Sequence, residues 1–383
     1  MRILLIGDPN HVFVAHLAQW LKKSKSGVTV DVLSFSPGIK IKEAYAGFYH
    51  QVIPFTGNPL LARLRKIGVL YQLLCLYFIL RGLKGKYDVC NVHYIYDQYR
   101  FLKNPLKHVA PRLILTIWGS DYYQERHTTR LRALYKVAGC ISFTNGEVRQ
   151  LFLQQYPDIP HAKLYECRFG LEPLEYLSGL KPETVDAVAR RYRIDRDKIK
   201  ITIGYNAREH QQHLQIIDSI TMCRELSGLK DKIRFIFPLT YPRDPAYIAL
   251  LKSRLEGWDY EYRLVTDFLT EEEVAGLREL SDIMIQLQRT DQFSGSMQEY
   301  MWTGNIIITG DWLPYQSLLE KGAVMHRIPD VQRAGGELFR IVQDFSREKA
   351  FTVVNRSIVE TFSCWGKNIP GWYAMYEGEA NER

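Results

Sequence analysis

Short apolar runs recur along the first half of the chain, and helical segments separate several of them. The runs occupy residues 2–7, 28–35, 87–95, 112–120, 140–145 and 163–170. They are rich in Val, Ile and Leu and largely unbroken, as is typical of strands whose two faces are both covered. Residues 12–24, between the first two runs, carry apolar side chains at helical spacing. This order predicts βαβ units and a parallel sheet.

The same pattern restarts after a polar, charged segment at residues 180–200. Further strands are predicted at 201–206, 233–240, 260–269, 281–288 and 305–310, with helices at 213–226, 245–258 and 271–280. Gly and Pro punctuate the junction. We therefore predict an α/β protein with two Rossmann-like, doubly wound parallel-sheet domains facing a cleft. The first comprises residues 1–170 completed by a C-terminal helix at 361–383, and the second comprises residues 171–360.

Composition and charge narrow the possible partners and the compartment. The 383 residues are enough for two domains, and the formal net charge of +8 favours an anionic partner. The six cysteines are scattered, with no C-x-x-C pair, which favours free thiols in a reducing compartment. The N-terminal apolar run is too short for a signal peptide, so we expect a cytoplasmic protein.

Residues 291–299 carry two carboxylates around a Ser-Gly-Ser turn, between two predicted strands. Ser294, Gly295 and Ser296 begin a helix there, and free N–H groups at a helix start form an anion site. One turn into the helix, Glu299 can accept hydrogen bonds from a sugar diol, and Asp291 can face a reacting sugar. The alternative is an ordinary capped helix with a solvated Glu.

The segment 281–309 resembles the signature of GT-B glycosyltransferases of the glycosyltransferase family 4-like group, and the resemblance extends over nearly the whole chain. It implies that Asp291, where the family usually has Glu, contacts the donor sugar, and that Glu299 holds the nucleotide ribose. It also implies retention of configuration. Residues 117–124 and 237–251 are most similar to transferases that add 4-acetamido-4,6-dideoxygalactose to polyprenyl-diphosphate-linked saccharides.

The loop after residue 203 is the second candidate donor-binding segment. Gly204 ends the strand, and related transferases place an Arg and a Lys soon after this glycine to bind the donor diphosphate. This chain has Tyr205 and His210 at those positions, while Arg208 can supply a guanidinium suited to phosphate oxygens. Asn206 and His213 fit the narrower transferase group. The alternative is a polar helix start with surface histidines.

In the first domain, the candidate acceptor-side residues at strand ends are Gly7, His93 and Trp118. Asp121 either orients an acceptor hydroxyl and shuttles its proton, as a catalytic residue, or caps a helix. No His, Cys or Asp motif indicates a metal site. We therefore predict no metal and no cofactor, with charge on the leaving diphosphate met by helix N-termini and basic side chains.

Residues 63–86 are apolar in the middle and basic at both ends. The apolar part is shorter than a transmembrane helix requires. It either lies at the surface of an anionic membrane or forms a buried core helix.

We predict a hexosyltransferase-type glycosyltransferase that uses a TDP- or UDP-type sugar donor. Its acceptor is a saccharide, free or polyprenyl-diphosphate-linked, in the synthesis of bacterial cell-envelope polysaccharide or glycan, at the inner face of the cytoplasmic membrane. The alternative is a catalytically silent GT-B scaffold that binds a partner transferase. A GT-B epimerase is a second enzyme alternative, and no motif indicates nucleic-acid binding.

Overall fold

The computed structural model describes residues 1–35, 38–55, 57–62, 65–125, 129–240, 244–291 and 293–379. The chain forms two compact units. One comprises Met1–Gly170 together with Trp365–Arg383, and the other comprises Leu171–Cys364.

The first unit, Met1–Gly170 with Trp365–Arg383, is built on a seven-stranded parallel sheet of order β3-β2-β1-β4-β5-β6-β7. Its strands are β1 Arg2–Ile6, β2 Thr29–Leu33, β3 Gln51–Ile53, β4 Val89–His93, β5 Arg112–Ile117, β6 Cys140–Phe143 and β7 Leu164–Glu166. Its helices are α1 Val12–Ser24, α2 Glu43–Ala46, α3 Pro59–Ala62, α4 Arg65–Gly82, α5 Lys103–Val109, α6 Ser120–Glu125, α7 Arg132–Val137, α8 Gly146–Gln155 and, from the C-terminus, α20 Trp365–Glu377.

The second unit, Leu171–Cys364, has a six-stranded parallel sheet of order β10-β9-β8-β11-β12-β13. Its strands are β8 Ile199–Ile203, β9 Ile233–Pro238, β10 Tyr262–Val265, β11 Ile283–Gln286, β12 Ile306–Gly310 and β13 His326–Ile328. Its helices are α9 Glu172–Ser178, α10 Pro182–Tyr192, α11 His213–Met222, α12 Arg224–Ser227, α13 Pro245–Leu255, α14 Glu271–Leu280, α15 Gly295–Trp302, α16 Gln316–Glu320, α17 Ala334–Gln343, α18 Phe345–Phe351 and α19 Val353–Ser363.

The predicted fold class, two doubly wound parallel-sheet α/β domains, is confirmed. The strands β1, β4, β9 and β12 are buried along almost their whole length, which is why their sequences are mostly apolar. The N-terminus of helix α14 is stabilised locally, because Thr270 and Glu273 form a reciprocal capping box there. The edge strands β3 and β13 were not predicted, since each has only three residues and no continuous apolar run.

The C-terminal helix α20 packs on one face of the first sheet. Trp365, Trp372, Met375 and Tyr376 are buried there with side chains of β1, β2 and α1. The Tyr376 hydroxyl accepts a 2.7 Å hydrogen bond from Asn91 in β4, and Trp372 Nε1 donates to the Arg168 carbonyl at 2.8 Å. In the part of the chain that the structure describes, no helix combines the length and apolarity needed to cross a membrane.

Candidate active site

The second sheet has its topological switch point between β8 and β11. From β8 the sheet extends through β9 and β10 on one side, and through β11, β12 and β13 on the other. The loops that follow β8 and β11 therefore leave in opposite directions around a crevice, which is where open α/β sheets bind ligands. The residues predicted to bind the donor follow these two strands.

Hydrogen bonds join the two loops. Gln288, after β11, accepts hydrogen bonds from Gln211 Nε2 at 2.8 Å and from the Tyr205 hydroxyl at 3.2 Å. The backbone N–H of Arg289 donates a hydrogen bond to the backbone carbonyl of His210 at 2.9 Å. Between the loops lies an open cavity of about 360 Å³, lined by Tyr205, His210, Gln288, Thr290 and Asp291. The switch point is thus a formed, polar site.

Gly204 and His213 shape the first loop. Gly204 has φ +63°, and a Cβ there would lie 2.7 Å from His213 Nε2 and 2.9 Å from Gln211 Oε1. His213 is fully buried, its Nδ1 lies 3.3 Å from the Tyr247 hydroxyl, and burial lowers its pKa to about 3. The ring therefore supports the loop from the core, and contact between His213 and the donor stays a prediction.

Asn206 and Arg208 differ in their access to the crevice. Asn206 is buried, and its Oδ1 accepts a 3.1 Å hydrogen bond from the backbone N–H of Arg208, so it fixes the turn. It is not among the residues that line the cavity, and donor binding by Asn206 stays a prediction. The Arg208 side chain is exposed, and the structure records no ion pair for it among the described residues. Arg208 therefore remains available for an anionic ligand.

Asp291 connects the loop after β11 to two neighbours. Its Oδ2 accepts a 2.9 Å hydrogen bond from the backbone N–H of Ser294 and a second hydrogen bond from the Tyr315 hydroxyl. Burial, with the nearby Asp291 charge, raises the pKa of Tyr315 far above its ordinary value, so this hydroxyl stays protonated and donates. Tyr315 holds the carboxylate at the wall of the cavity.

Helix α15 begins beside Asp291. Ser294 is its N-cap, and the Ser294 hydroxyl accepts a 3.2 Å hydrogen bond from the Met297 N–H. The N–H groups of Gly295 and Ser296 have no recorded acceptor in the described part of the chain, and the helix dipole adds positive potential there. These two amides, with Arg208, are the groups positioned by the fold to meet a phosphate.

Glu299 lies on the second turn of α15 and forms an ion pair within the unit. Its Oε2 accepts a 2.9 Å hydrogen bond from Arg278 Nε, and both side chains are nearly buried. Burial raises the pKa of the Glu299 carboxyl, and the Arg278 guanidinium opposes that shift. Glu299 is thus not a solvated helix residue, and Arg278 is a partner that the sequence did not reveal.

Further residues around the crevice were also missed. A second cavity of about 330 Å³ is lined by Gln212, Gln215, Arg289, Trp312, Asp330, Val331 and Gln332. Trp312, after β12, donates from Nε1 to the Gln288 carbonyl at 3.0 Å, and Arg289 pairs with Glu209 at 2.8 Å. Arg289 and Trp312 could have been predicted from the sequence, because they directly follow the strands β11 and β12.

In the first unit, the switch point lies between β1 and β4. A Cβ on Gly7 would lie 3.3 Å from His93 Cβ, so the two predicted acceptor-side residues are neighbours. His93 is buried, and no described residue forms a hydrogen bond with either of its ring nitrogens or with the indole Nε1 of Trp118. The rings of Trp118, Phe169 and Trp372 each lie 6.1 Å from the His93 ring. Burial lowers the pKa of His93 to about 3.

Asp121 has a structural position. Its Oδ1 accepts N–H hydrogen bonds from Trp118, Gly119 and Tyr122 at 2.9–3.0 Å, and its Oδ2 accepts one from Ile95 at 2.7 Å. Burial raises its pKa to about 6, against the opposing effect of these four donors. Both carboxylate oxygens bind backbone N–H groups at the start of α6, which is the structural role that the alternative gave Asp121, while its catalytic role stays a prediction.

Metal ligands were not predicted from the sequence. Within the described residues, no three or more His, Cys, Asp or Glu side chains converge on a point that would hold a metal ion.

Comparison with known proteins supports the fold and the enzyme class. Residues 2–145 match the model of the family described as glycosyl transferase 4-like. No curated protein sequence matches the chain. The family match confirms the predicted enzyme class, a glycosyltransferase.

Three solved structures are similar over both units. A glycosyltransferase from Rickettsia africae has a TM-score of 0.73 at 14% identity, covering 100% of this chain and 99% of that chain. Anabaena HepE in complex with UDP and glucose has a TM-score of 0.68 at 12% identity, with 98% and 99% covered. The UDP-GlcNAc 2-epimerase of Neisseria meningitidis bound to UDP-GlcNAc has a TM-score of 0.67 at 14% identity, with 98% and 99% covered. At these identities the likeness shows the GT-B fold and no more.

Proposed function

We propose that this glycosyltransferase takes its sugar from a TDP- or UDP-type donor bound at the β8–β11 switch point. The proposal rests on the start of α15. Two backbone amides there have no recorded acceptor among the described residues, and they lie between the Asp291 and Glu299 carboxylates. The amides and Arg208 suit the diphosphate. Glu299 suits the nucleotide ribose, and Asp291, at the cavity wall, suits the transferred sugar.

The proposed reaction proceeds with retention at the anomeric carbon. The bond from that carbon to the diphosphate oxygen breaks, and a bond to an acceptor hydroxyl forms on the same face. The hydroxyl proton passes to the departing diphosphate. Negative charge that develops on the diphosphate is stabilised by the Gly295 and Ser296 amides and by Arg208, with no metal required. Retention rests on the resemblance of the segment around Asp291 to retaining GT-B enzymes.

The first measurement is thermal unfolding with TDP, UDP, GDP, ADP and CMP, each with and without Mg²⁺. A ligand at 100 times its Kd stabilises the protein by about 2.7 kcal/mol. We expect one diphosphate to raise the Tm without Mg²⁺, and Glu299→Ala to abolish the shift. If no nucleotide raises the Tm, the donor site is refuted and the silent-scaffold alternative is favoured.

We propose the unit Met1–Gly170 as the acceptor-binding unit. Gly7, His93 and Trp118 meet at its switch point, and aromatic rings with buried, unpartnered N–H groups suit a saccharide. The proposed acceptor is a polyprenyl-diphosphate-linked saccharide in cell-envelope glycan synthesis. The proposed donor sugar is of the 4-acetamido-4,6-dideoxygalactose type, from the resemblance of residues 117–124 and 237–251, of which 241–243 lie outside the described residues.

The structure of α4 supports a membrane-associated acceptor. Leu76 and Leu80 are buried in the core, whereas Leu70, Leu74 and Phe78, on the other face, are 61%, 51% and 67% exposed. This exposed row is here called the α4 outer face. A row of exposed apolar side chains of this kind is typical of an interaction surface.

The charge around the α4 outer face indicates an anionic partner. Residues 44–87 contain no Asp or Glu and six basic residues, which are Arg63, Arg65, Lys66, Arg81, Lys84 and Lys86. Residues 63 and 64 and the side chains of residues 65–67 lie outside the described part of the chain, so the structural argument rests on Arg81, Lys84 and Lys86. Basic side chains beside an apolar face suit an anionic bilayer, with about 1 kcal/mol for each one near the surface. We propose that the α4 outer face rests on the inner face of the bacterial cytoplasmic membrane.

Vesicle co-sedimentation tests this surface. We expect binding to vesicles containing phosphatidylglycerol and little binding to pure phosphatidylcholine. Leu74→Ser with Phe78→Ser should weaken binding about 100-fold, because each side chain contributes at least about 1.5 kcal/mol when buried. The matched control is Val353→Ser with Val354→Ser, which removes two exposed apolar side chains of the other unit. Equal binding by both double variants would refute the α4 outer face.

A further inference from the structure

The residue that follows β4 has a backbone conformation that its side chain does not favour. Tyr94 has φ +62°. This is the left-handed region, in which a Cβ crowds the following carbonyl oxygen and which Gly or Asn adopts more readily than Tyr. A residue stays there only where the surrounding structure holds it, and such places cluster at functional sites. Tyr94 directly follows His93, at the switch point between β1 and β4.

Hydrogen bonds on both sides of Tyr94 hold its backbone. The N–H of Tyr94 donates to the Thr116 carbonyl at 3.1 Å, and the N–H of Ile95 donates to Asp121 Oδ2 at 2.7 Å. The Asp121 carboxylate also accepts a 2.9 Å hydrogen bond from the backbone N–H of Trp118. Asp121 thus joins the segment after β4 to the segment after β5, and these two segments carry Tyr94 and Trp118.

The rings of Tyr94, Tyr96 and Trp118 form a partly exposed aromatic cluster. The centre of the Tyr94 ring lies 5.7 Å from that of Trp118, edge to face, and 4.9 Å from that of Tyr96. Tyr96 is 41% exposed, and the other two side chains are half-buried. Ring surface in this cluster is therefore accessible to a ligand.

Polar groups lie beside these rings. No described residue forms a hydrogen bond with the indole Nε1 of Trp118 or with either ring nitrogen of His93. Burial raises the pKa of Tyr96, and electrostatic effects that include those of Asp121 and Asp8 act in the same direction. The Tyr96 hydroxyl is therefore protonated at neutral pH and can donate a hydrogen bond. Asp8 lies in the loop after β1, so Tyr96 is close to the loops on both sides of the switch point.

Accessible aromatic faces beside hydrogen-bond donors suit a saccharide. The face of a sugar ring that carries C–H groups packs on the electron-rich face of an aromatic ring, and the sugar hydroxyls bind the polar groups around it. We propose that Tyr94 and Tyr96, together with Trp118, form the surface on which one sugar ring of the acceptor stacks. This inference rests on the proposed function, because it specifies how the proposed acceptor-binding unit recognises a saccharide.

Saturation-transfer difference NMR on the full-length protein tests the proposal, because this method detects weak saccharide binding. The probes are the methyl glycosides of glucose, galactose, mannose and N-acetylglucosamine. We expect at least one of them to bind, and Tyr96→Ala to weaken its binding about 10-fold, the size expected for the loss of one aromatic contact. Phe101→Ala is the matched control, because it removes a ring that is 60% exposed in the same unit. It should leave binding unchanged, and an equal loss in this control would overturn the proposal.

Tyr94→Asn separates binding from folding. Asn tolerates the left-handed conformation, so this variant keeps the turn and loses the ring. We expect its Tm to stay close to that of the unsubstituted protein while its binding of the glycoside falls about 10-fold. If Tyr94→Asn does not fold, Tyr96→Ala decides alone, because Tyr96 is exposed. Unchanged glycoside binding in either folded variant would show that the rings do not hold a saccharide.

Binding of UDP and TDP to the same protein samples, measured by isothermal titration calorimetry, separates this inference from the proposed function. If either nucleotide binds and none of the glycosides does, the donor site stands and the aromatic surface is refuted. If a glycoside binds and the two tyrosine variants weaken it, but neither nucleotide binds, the surface stands and the proposed donor site is refuted. If neither glycosides nor nucleotides bind, both are refuted.

Discussion

His93 allows a quantitative prediction, because its ring is buried in the first unit and no described residue forms a hydrogen bond with it. Burial, with a smaller effect of the neighbouring His11, lowers its pKa from 6.5 to about 3. Between these values the unfolded chain binds more protons than the native one, so stability falls as the pH falls. At pH 5.0 the expected loss is about 2 kcal/mol, from roughly 1.5 pH units below 6.5 at about 1.36 kcal/mol for each.

The perturbation is His93→Leu, which removes the titrating ring from an apolar, aromatic setting. Two buried ring nitrogens without partners disappear, so stability at pH 7.5 should change little or rise. Between pH 7.5 and 5.0 the variant should lose about 2 kcal/mol less than the unsubstituted protein. The assay is urea unfolding followed by tryptophan fluorescence at both pH values, with the free energy of unfolding extrapolated to water.

His161→Leu is the control, because it removes a histidine from an exposed position of the same unit. Its loss between pH 7.5 and 5.0 should parallel that of the unsubstituted protein. Other titrating groups, His213 and Asp121 among them, are present in all three proteins and cancel in the difference. Equal losses in His93→Leu and the unsubstituted protein would show that His93 takes up its proton in the folded state, which would refute the argument from burial.

Four further predictions concern stability. Gly204→Ala should cost more than 2 kcal/mol in urea unfolding, because a Cβ would overlap His213 and Gln211. Gly257 also has a positive φ, but a Cβ added there would have no described atom within 4 Å. Gly257→Ala should therefore lower the free energy of unfolding by only about 1 kcal/mol. Trp372→Ala should cost about 3–5 kcal/mol by the same measurement, from the cavity it leaves under α20. Asp121→Ala should lower the free energy of unfolding by about 3 kcal/mol, because it leaves four backbone N–H groups unpaired. The folded variant should retain transferase activity. Loss of activity without loss of stability would instead support a catalytic role for Asp121. Glu337→Gln should cost about 1–3 kcal/mol at pH 7, allowing for partial exposure. The His326 and Arg340 side chains hold the pKa of Glu337 at about 2, so this difference should shrink as the pH falls from about 4.5 to 2 in a pH series of unfolding curves.

The fold was predictable because burial on both faces of a strand leaves a clear trace in sequence. The runs that became β1, β4, β9 and β12 are mostly apolar segments, and α1 and α14 carry helical periodicity and caps. Helix α4 shows the limit of this signal. Its sequence is apolar all round, yet Leu76 and Leu80 are buried while Leu74 and Phe78 are exposed. Composition alone cannot separate a core-facing side from an outward-facing one.

The site was predictable at the level of loops. Asp291 and the turn Ser294–Ser296 follow a strand end and open a helix, and the structure places them at the switch point. Arg278 was not predictable, because it meets Glu299 only through the packing of α14 beside α15. The 20 residues between them, 279–298, carry no periodic or motif signal of that contact. The same holds for Tyr315, which reaches Asp291 from beyond β12.

The structural contacts of Asn206, Asp121 and His213 have one physical origin. Polar residues at strand ends are needed both to bind a ligand and to satisfy the backbone groups of the loops that form the site. Asp121 accepts four N–H hydrogen bonds, Asn206 accepts one, and His213 fills the space that Gly204 leaves. Residue type does not separate these two duties, because both require the same hydrogen-bonding atoms. The two roles differ in whether a side-chain oxygen or nitrogen can still bind a ligand once the loop has formed. Glu299 combines both roles, because Arg278 holds one of its carboxylate oxygens while the other can still bind a ligand.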